Sequence, residues 1–179
     1  MTFSYAGLLT SALYSELHYN FRGSKNVWWS SAMLNKYASK EKCFAEEYSQ
    51  YPIIELEEEL GIIYNNGART ATENIADAMG LKAAYLAFQK RLEKMEGECP
   101  MLPHFAKFTC EQLFFISFAN TFCMAMRPFA LLKHVQENHH STSRTRVNGA
   151  VSNMPEFSKA FNCKPNSFLN PKKKCDVWE

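Results

Sequence analysis

Two carboxylates stand at a spacing that suits metal chemistry. In the stretch ATENIADAMGLKAAY, Glu73 and Asp77 lie four residues apart within a helical pattern, so both side chains leave the same face of that helix. Such a glutamate can be a metal ligand, with the aspartate one turn later orienting a ligand histidine. The alternative is a solvated helix face, on which the two like charges repel at a cost of roughly 0.2–0.5 kcal/mol.

A histidine beside two arginines is the second candidate group. His140 stands in the polar stretch NHHSTSRTR and is followed by Arg144 and Arg146. Histidine is a frequent general acid or base in enzymes, but most histidines in loops are simply exposed polar residues. The exposed-loop interpretation is the one that these residues favour when they are considered alone.

The elements that must position these residues are mostly helices, because the apolar spacing is helical through most of the chain. The segment IIELEEELGIIYNNGART is predicted to form either a strand or a helix pair around Gly61, and the tail after residue 140 is rich in turn residues. The pattern therefore predicts a mainly α fold, of the α+β class. The predicted helices cover residues 5–19, 27–51, 70–95, 110–127 and 129–140, and a short stretch around MPEFSKAF.

Two of these helices have distinctive apolar patterns. The stretch CEQLFFISFANTFCMAMRP is apolar on every side, which predicts a buried central helix that ends at Pro128. The helix that carries Glu73 has a single apolar stripe, which is predicted to face the core. Its members are Ile75, Met79, Ala83 and Leu86.

Composition excludes several classes of function. The chain has 179 residues, 46% of them hydrophobic, and its length fits a single domain over residues 1–179. A formal net charge of +2 argues against a nucleic-acid partner, and the one basic cluster, PKKKC, is predicted to be a solvated turn. The apolar helix near the beginning is shorter than the roughly 20 residues that span a bilayer, so no transmembrane segment is predicted.

Three stretches together carry a family resemblance. ENIADAMGLKAAY, QLFFISFANTFC and HSTSRTRVNGAVSNMPEFSKAFNCKPNSFLNPKKKCDVW resemble, in order and spacing, the C-terminal part of the neprilysin and endothelin-converting enzyme family of zinc metallopeptidases. The resemblance covers about residues 1–178. It implies a thermolysin-like (gluzincin) catalytic domain, present in part, with the N-terminal half of the family fold absent, and an extracellular or cell-surface location.

The resemblance also implies roles for individual residues. Glu73 matches the family's third zinc ligand, and Asp77 matches the aspartate that orients a ligand histidine. His140 matches the histidine that stabilises the transition state, and Arg146 matches the arginine that binds the substrate backbone. Asn138 departs from the family, which has at this position an aspartate that supports the histidine.

The main departure concerns the zinc motif H-E-x-x-H. Ungapped alignment of the family stretch N-F-G-G-I-G with TFSYAG places the motif on Ala12-Leu13-Tyr14-Ser15-Glu16. Both ligand histidines and the general-base glutamate are thus replaced, by Ala12, Glu16 and Leu13 respectively. No other H-E-x-x-H occurs in the 179 residues. Glu16 could supply a second carboxylate, but two carboxylates without imidazole favour harder ions than zinc.

These losses predict a catalytically inactive relative. Zinc is the family's cofactor, yet we expect this chain not to bind it, and loss of the general base alone costs on the order of 10²–10⁴ in rate. His140 and Arg146 could still hold a peptide, so peptides or a partner protein are the expected ligands. The alternative is an active zinc endopeptidase that hydrolyses short peptides, which applies if the beginning of this sequence is truncated or misjoined.

The six cysteines fit an extracellular protein. They stand at positions 43, 99, 110, 123, 163 and 175, and an even number at such long spacings is typical of a disulfide framework. The resemblance implies that Cys43 pairs with Cys175. It also matches Cys123 and Cys163 to family cysteines whose partners lie in the N-terminal half, which predicts that this chain is a fragment.

The remaining two cysteines do not follow the family pattern. Cys99 and Cys110 are close in sequence, so a local bridge between them is plausible. The sequence leaves their pairing open, as it does for Cys123 and Cys163.

Overall fold

The computed structural model describes residues 22, 24, 29–97, 99, 103, 104 and 106–177. Within them the fold is mainly α, as predicted, and the only extended pairings there are the isolated bridges Pro52–Tyr64 and Ser167–Asn170. The helix predicted for residues 5–19 lies outside the described residues. The helices are α1 (Ser31–Tyr48), a 3-10 turn (Ile54–Leu56), α2 (Glu57–Leu60), α3 (Gly67–Lys94), α4 (Cys110–Asn120), α5 (Pro128–Glu137), α6 (Ser143–Ser152) and α7 (Pro155–Ala160).

The close crossing of α1 and α3 organises the core. Asn66 caps α3 by accepting a hydrogen bond from the Arg69 N–H. The first residue of α3 is Gly67, where an added Cβ would lie 2.1 Å from the carbonyl oxygen of Ala45 in α1. Only glycine lets the two backbones approach so closely. The buried core between α1, α3, α4 and α6 includes Phe44, Tyr48, Ile75, Met79, Leu81, Tyr85, Phe115, Phe118 and Val151.

The buried face of α3 differs from the predicted stripe. Ile75 and Met79 are buried as predicted, but Ala83 is exposed and Leu86 is 55% exposed, so that part of the prediction is wrong. The buried face continues instead through Ala78, Leu81 and Tyr85. This rotated face brings Asp77 into the interior, where 4% of the residue remains exposed.

Helix α4 is shorter than predicted. Thr109 and Gln112 form a capping box at its beginning, but the helix ends at Asn120 and not at Pro128. Residues 121–127 are not helical, and Arg127 is extended, as expected for a residue that precedes proline. Pro128 is the first residue of the next helix. Beyond Asn120, Phe122 still packs against the core, but Met124 and Met126 are 61% and 40% exposed.

Helix α6 is absent from the sequence prediction, which treated this part of the tail as turns. Its residues, SRTRVNGAVS, are mostly poor helix formers. Thr142 caps the helix by accepting from the Thr145 N–H, and packing against α1 supports it. At Gly149 an added Cβ would lie 2.2 Å from Cζ of Tyr48, so this glycine allows the contact between the helices. The short helix predicted around MPEFSKAF is present as α7.

Two disulfides tie the fold together. Cys43 of α1 is bonded to Cys175 in the C-terminal tail, as the resemblance implies, with Cα atoms 5.7 Å apart. Cys99 is bonded to Cys110, whose Cα lies 6.1 Å away, while Cys123 and Cys163 are free. Within the described ranges, no helix is long and apolar enough to cross a membrane.

Candidate functional site

The loop between α5 and α6 is fastened onto α3 by a buried hydrogen-bond network. Ser141 Oγ lies 2.8 Å from Asn74 Oδ1 and 3.0 Å from Thr70 Oγ1, and Asn74 Nδ2 donates to Thr70 Oγ1 at 2.9 Å. All three residues are at most 3% exposed. Because buried polar groups are costly when unpaired, this network fixes the loop in place. It thereby holds His140, which precedes Ser141, against Glu73.

The imidazole of His140 is held from both sides. Its Nε2 lies 3.3 Å from Oε2 of Glu73, and its Nδ1 lies 3.0 Å from Oδ1 of Asn138. The Asn138 oxygen also accepts from the backbone N–H of His140 at 2.8 Å. The asparagine that departs from the family's aspartate therefore still supports this histidine. Both ring nitrogens therefore lie within reach of side-chain oxygens.

Arg146 of α6 forms a bidentate ion pair with Asp77 of α3. Arg146 Nε donates to Oδ2 at 2.6 Å, and Nη2 donates to Oδ1 at 2.8 Å. This is the fork geometry in which guanidinium and carboxylate bind most strongly. The side chains are only 23% and 6% exposed, and the guanidinium also lies 4.8 Å from the ring centre of Phe122.

Burial and pairing act in opposite directions on these two charges. Burial raises the pKa of the Asp77 carboxyl, and the hydrogen bonds from Arg146 offset part of that rise. For the guanidinium, burial lowers the pKa, but the contacts with Asp77 outweigh it, so the pKa of Arg146 is raised. The Asp77 carboxylate therefore relies on Arg146 to offset the cost of burying its charge, whereas the guanidinium stays protonated in any case.

The pairing answers why α3 places two carboxylates one turn apart. One interpretation of the sequence was a solvated helix face on which the two charges repel, and that interpretation is wrong because Asp77 is buried. Glu73 has His140 as its partner, and Asp77 has Arg146. Four charged or chargeable side chains from two distant parts of the chain thus form a cluster that is compensated within the protein.

A cleft of about 870 Å³ opens beside this cluster. Its volume lies within the range of small-ligand and peptide sites. Its walls include both apolar and polar side chains, and His140 and Arg146 both contribute to it. The lining includes Glu55, Phe122, Met124, Met126, Leu131, His134, His140, Ser143, Arg144, Arg146, Val147 and Asn148.

The relationship to known proteins follows from the sequence profile of peptidase family M13, which matches residues 11–177. The chain belongs to peptidase family M13. The match includes all four members of the charge cluster, and it includes the positions that the alignment assigns to the zinc motif. Those positions, Ala12 to Glu16, lie outside the described residues.

Curated relatives are more than a third identical to this chain over the matched residues. Neprilysin-3 of Drosophila melanogaster is 38% identical over 160 residues, and endothelin-converting enzyme 1 of Bos taurus is 38% identical over 165 residues. Each match covers 89% of this chain but only 19% and 20% of the relative. The chain therefore spans about a fifth of the length of these relatives.

Solved M13-type structures share its fold. A zinc metalloprotease of Mycobacterium tuberculosis, solved with an inhibitor, aligns over 99% of this chain and 28% of its own, with a TM-score of 0.80 and 24% identity. A Haemonchus galactose-containing glycoprotein complex aligns over 99% of this chain and 30% of its own, with a TM-score of 0.78 and 28% identity. These matches confirm the predicted fold class, a partial gluzincin catalytic domain.

Zinc is the family's metal, but the residues present do not fit it. A catalytic zinc needs three protein ligands and an open coordination position. No H-E-x-x-H stands in the sequence, and among the described residues no three histidine, cysteine, aspartate or glutamate side chains are close enough to share a metal. Glu73, the matched ligand, is paired with His140. Both oxygens of Asp77, matched to the residue that orients a ligand histidine, bind Arg146.

Sequence reasoning missed the network that positions the site. Thr70, Asn74 and Ser141 belong to common residue types and form no recognised motif. One signal could have found Asn74: it is an amide between the buried positions of α3, and a buried amide requires partners. Its partner Ser141 lies 67 positions further along the chain, a separation that no local pattern bridges.

Proposed function

We propose that this chain is a zinc-free M13 protein that binds peptides in its cleft without hydrolysing them. The observation that carries this proposal is the pairing of both site carboxylates with basic side chains of the chain itself, Glu73 with the imidazole of His140 and Asp77 with the guanidinium of Arg146. A zinc ion at Oε2 of Glu73 would compete with the His140 contact, and the guanidinium of Arg146 already occupies both oxygens of Asp77. The absence of H-E-x-x-H from the sequence removes the remaining ligands and the base.

The cleft retains what peptide binding requires. Phe122, Met124 and Val147 offer apolar contacts. The guanidinium of Arg146 has N–H donors beyond the two that bind Asp77, and these can reach a peptide backbone. The named relatives are a neprilysin and an endothelin-converting enzyme, so a peptide is the ligand class to carry over.

An extracellular or cell-surface location is part of the proposal. Two disulfides join the described residues, and such bonds persist in oxidising compartments. The extracellular or cell-surface location that the resemblance implies is an oxidising environment of this kind.

Binding and hydrolysis can be measured on one probe, fluorescein-labelled Gly-Gly-Phe-Leu with an amidated C terminus. We expect its fluorescence anisotropy to rise with protein concentration, while chromatography shows the peptide intact after incubation with added zinc. Met124→Asp should weaken binding at least about fivefold, because a charge replaces an apolar wall of the cleft. Leu86→Asp is the matched control, since Leu86 is similarly exposed, 55% against 61%, on α3 away from the cleft.

Two results would contradict the proposal. Peptide cleavage that requires zinc and stops with a chelator would establish the active endopeptidase instead. Absence of binding, or equal losses in Met124→Asp and Leu86→Asp, would show that the cleft does not hold the peptide.

A further inference from the structure

The charges that line the cleft are unbalanced. Arg144, Arg146, His134 and His140 all line it, whereas Glu55 is the sole carboxylate among its lining residues in the described part of the chain. Arg146 binds Asp77, and His140 lies against Glu73. Arg144 is therefore the guanidinium of the lining that has no carboxylate partner among the described residues.

Arg144 is exposed and available for a ligand. Within the ranges that the structure describes, no hydrogen bond or ion pair involves its side chain, and it lies two residues before Arg146 on the same helix. Arg146 is fixed by its fork to Asp77, so it gives this edge of the cleft a rigid base. A guanidinium at such a rim suits planar oxyanions, above all carboxylates.

The position of Arg144 is unfavourable for the helix itself. It stands in the first turn of α6, where the helix dipole favours negative charge, and that turn has no acidic residue. Because a cation in the first turn destabilises the helix, the presence of Arg144 there indicates a functional role. A bound carboxylate would satisfy both the guanidinium and this end of the helix.

We propose that the cleft selects peptides that carry a carboxylate and that Arg144 is the residue that contacts it. This inference rests on the proposed function, because it names the class of peptide that the same cleft binds. The carboxylate can be the C terminus of the peptide or an acidic side chain, and the apolar wall around Met124 receives the neighbouring side chain.

Three fluorescein-labelled peptides test the inference and separate the two sources of the carboxylate. The first is the neutral Gly-Gly-Phe-Leu amide, the second is the same peptide with a free C terminus, and the third is Gly-Glu-Phe-Leu amide. We expect the second or the third to bind about fivefold more tightly than the first at low salt. The preference should shrink as salt is raised, because the rim of the cleft is exposed.

Substitution of Arg144 identifies the group responsible. Arg144→Gln should reduce the preference for the carboxylate peptides over the neutral amide to about one. Arg91→Gln, which removes an exposed arginine at the far end of α3, should leave the preference intact. Equal binding of all three peptides, or a preference that survives in Arg144→Gln, would overturn this inference and leave the proposed function standing. Failure of all three peptides to bind would overturn both.

Discussion

Replacing both Cys43 and Cys175 with serine is expected to lower the free energy of unfolding by about 4–5 kcal/mol. The bond joins residues 132 positions apart, and the chain-entropy model assigns the largest stabilisation to the longest closed loops. This is a large share of the 5–15 kcal/mol that stabilises a typical domain. Urea unfolding followed by circular dichroism measures the loss.

The second disulfide provides the matched control. Cys99 and Cys110 are only 11 positions apart, so the same model predicts a loss of about 3 kcal/mol when both become serine. Both variants should be compared in a chain whose free cysteines, Cys123 and Cys163, are serine, because free thiols exchange with disulfides. A larger loss for the short loop than for the long one would show that loop closure does not explain the stabilisation.

Replacing Arg146 with methionine is expected to cost about 3 kcal/mol or more at about pH 8. The substitution keeps an apolar stem beside Phe122 but leaves the Asp77 carboxylate buried without its cation. Breaking one side of a buried pair is far more costly than losing an exposed pair, because the remaining charge has lost its solvation.

The loss should depend on pH in a defined direction. Burial already raises the pKa of Asp77, and removal of the Arg146 hydrogen bonds raises it further. A folded state that binds a proton more tightly than the unfolded state gains stability as pH falls. The deficit of Arg146→Met should therefore be largest above neutrality and smaller near about pH 5, as the buried carboxyl takes up its proton.

Two further variants control for local packing. Glu73→Gln removes the carboxylate of the more exposed pair between Glu73 and His140, whose side chains are 27% and 43% exposed. This change should alter the free energy of unfolding by less than about 1 kcal/mol. Asp77→Asn combined with Arg146→Met should recover part of the loss by removing the buried charge. A cost below about 1 kcal/mol for Arg146→Met would contradict the assignment of a buried ion pair.

Much of the site could be predicted because its residues lie in motifs. Glu73 and Asp77 follow from the helical spacing, and the resemblance adds His140, Arg146 and the partner of Cys43. The pairing among the four charged residues could not be predicted, because His140 and Arg146 follow the two carboxylates by more than sixty positions. The resemblance assigns Glu73 and Asp77 to a metal site, so the basic side chains His140 and Arg146 were not expected to be their partners.

Errors in the fold prediction have local physical causes. Helix α6 was missed because its serines, threonines and glycine favour turns, whereas its cap at Thr142 and its packing through Gly149 stabilise a helix. Helix α4 was extended too far because hydrophobicity alone does not show where a helix ends. Thr121 is the C-terminal cap of the helix, and its Oγ1 donates to the Phe118 carbonyl oxygen at 2.7 Å.

The most direct test of the proposal that the charge cluster occupies the place of the zinc site is to measure the zinc content of the chain and the effect of zinc on its stability. The purified chain is dialysed against zinc, its metal is counted by mass spectrometry, and its melting temperature is recorded with and without phenanthroline. We expect well below one zinc per chain and no change in melting temperature. One tightly held zinc per chain, lost in Glu73→Gln and worth about 4 kcal/mol of stability at a thousandfold excess over its dissociation constant, would contradict this account.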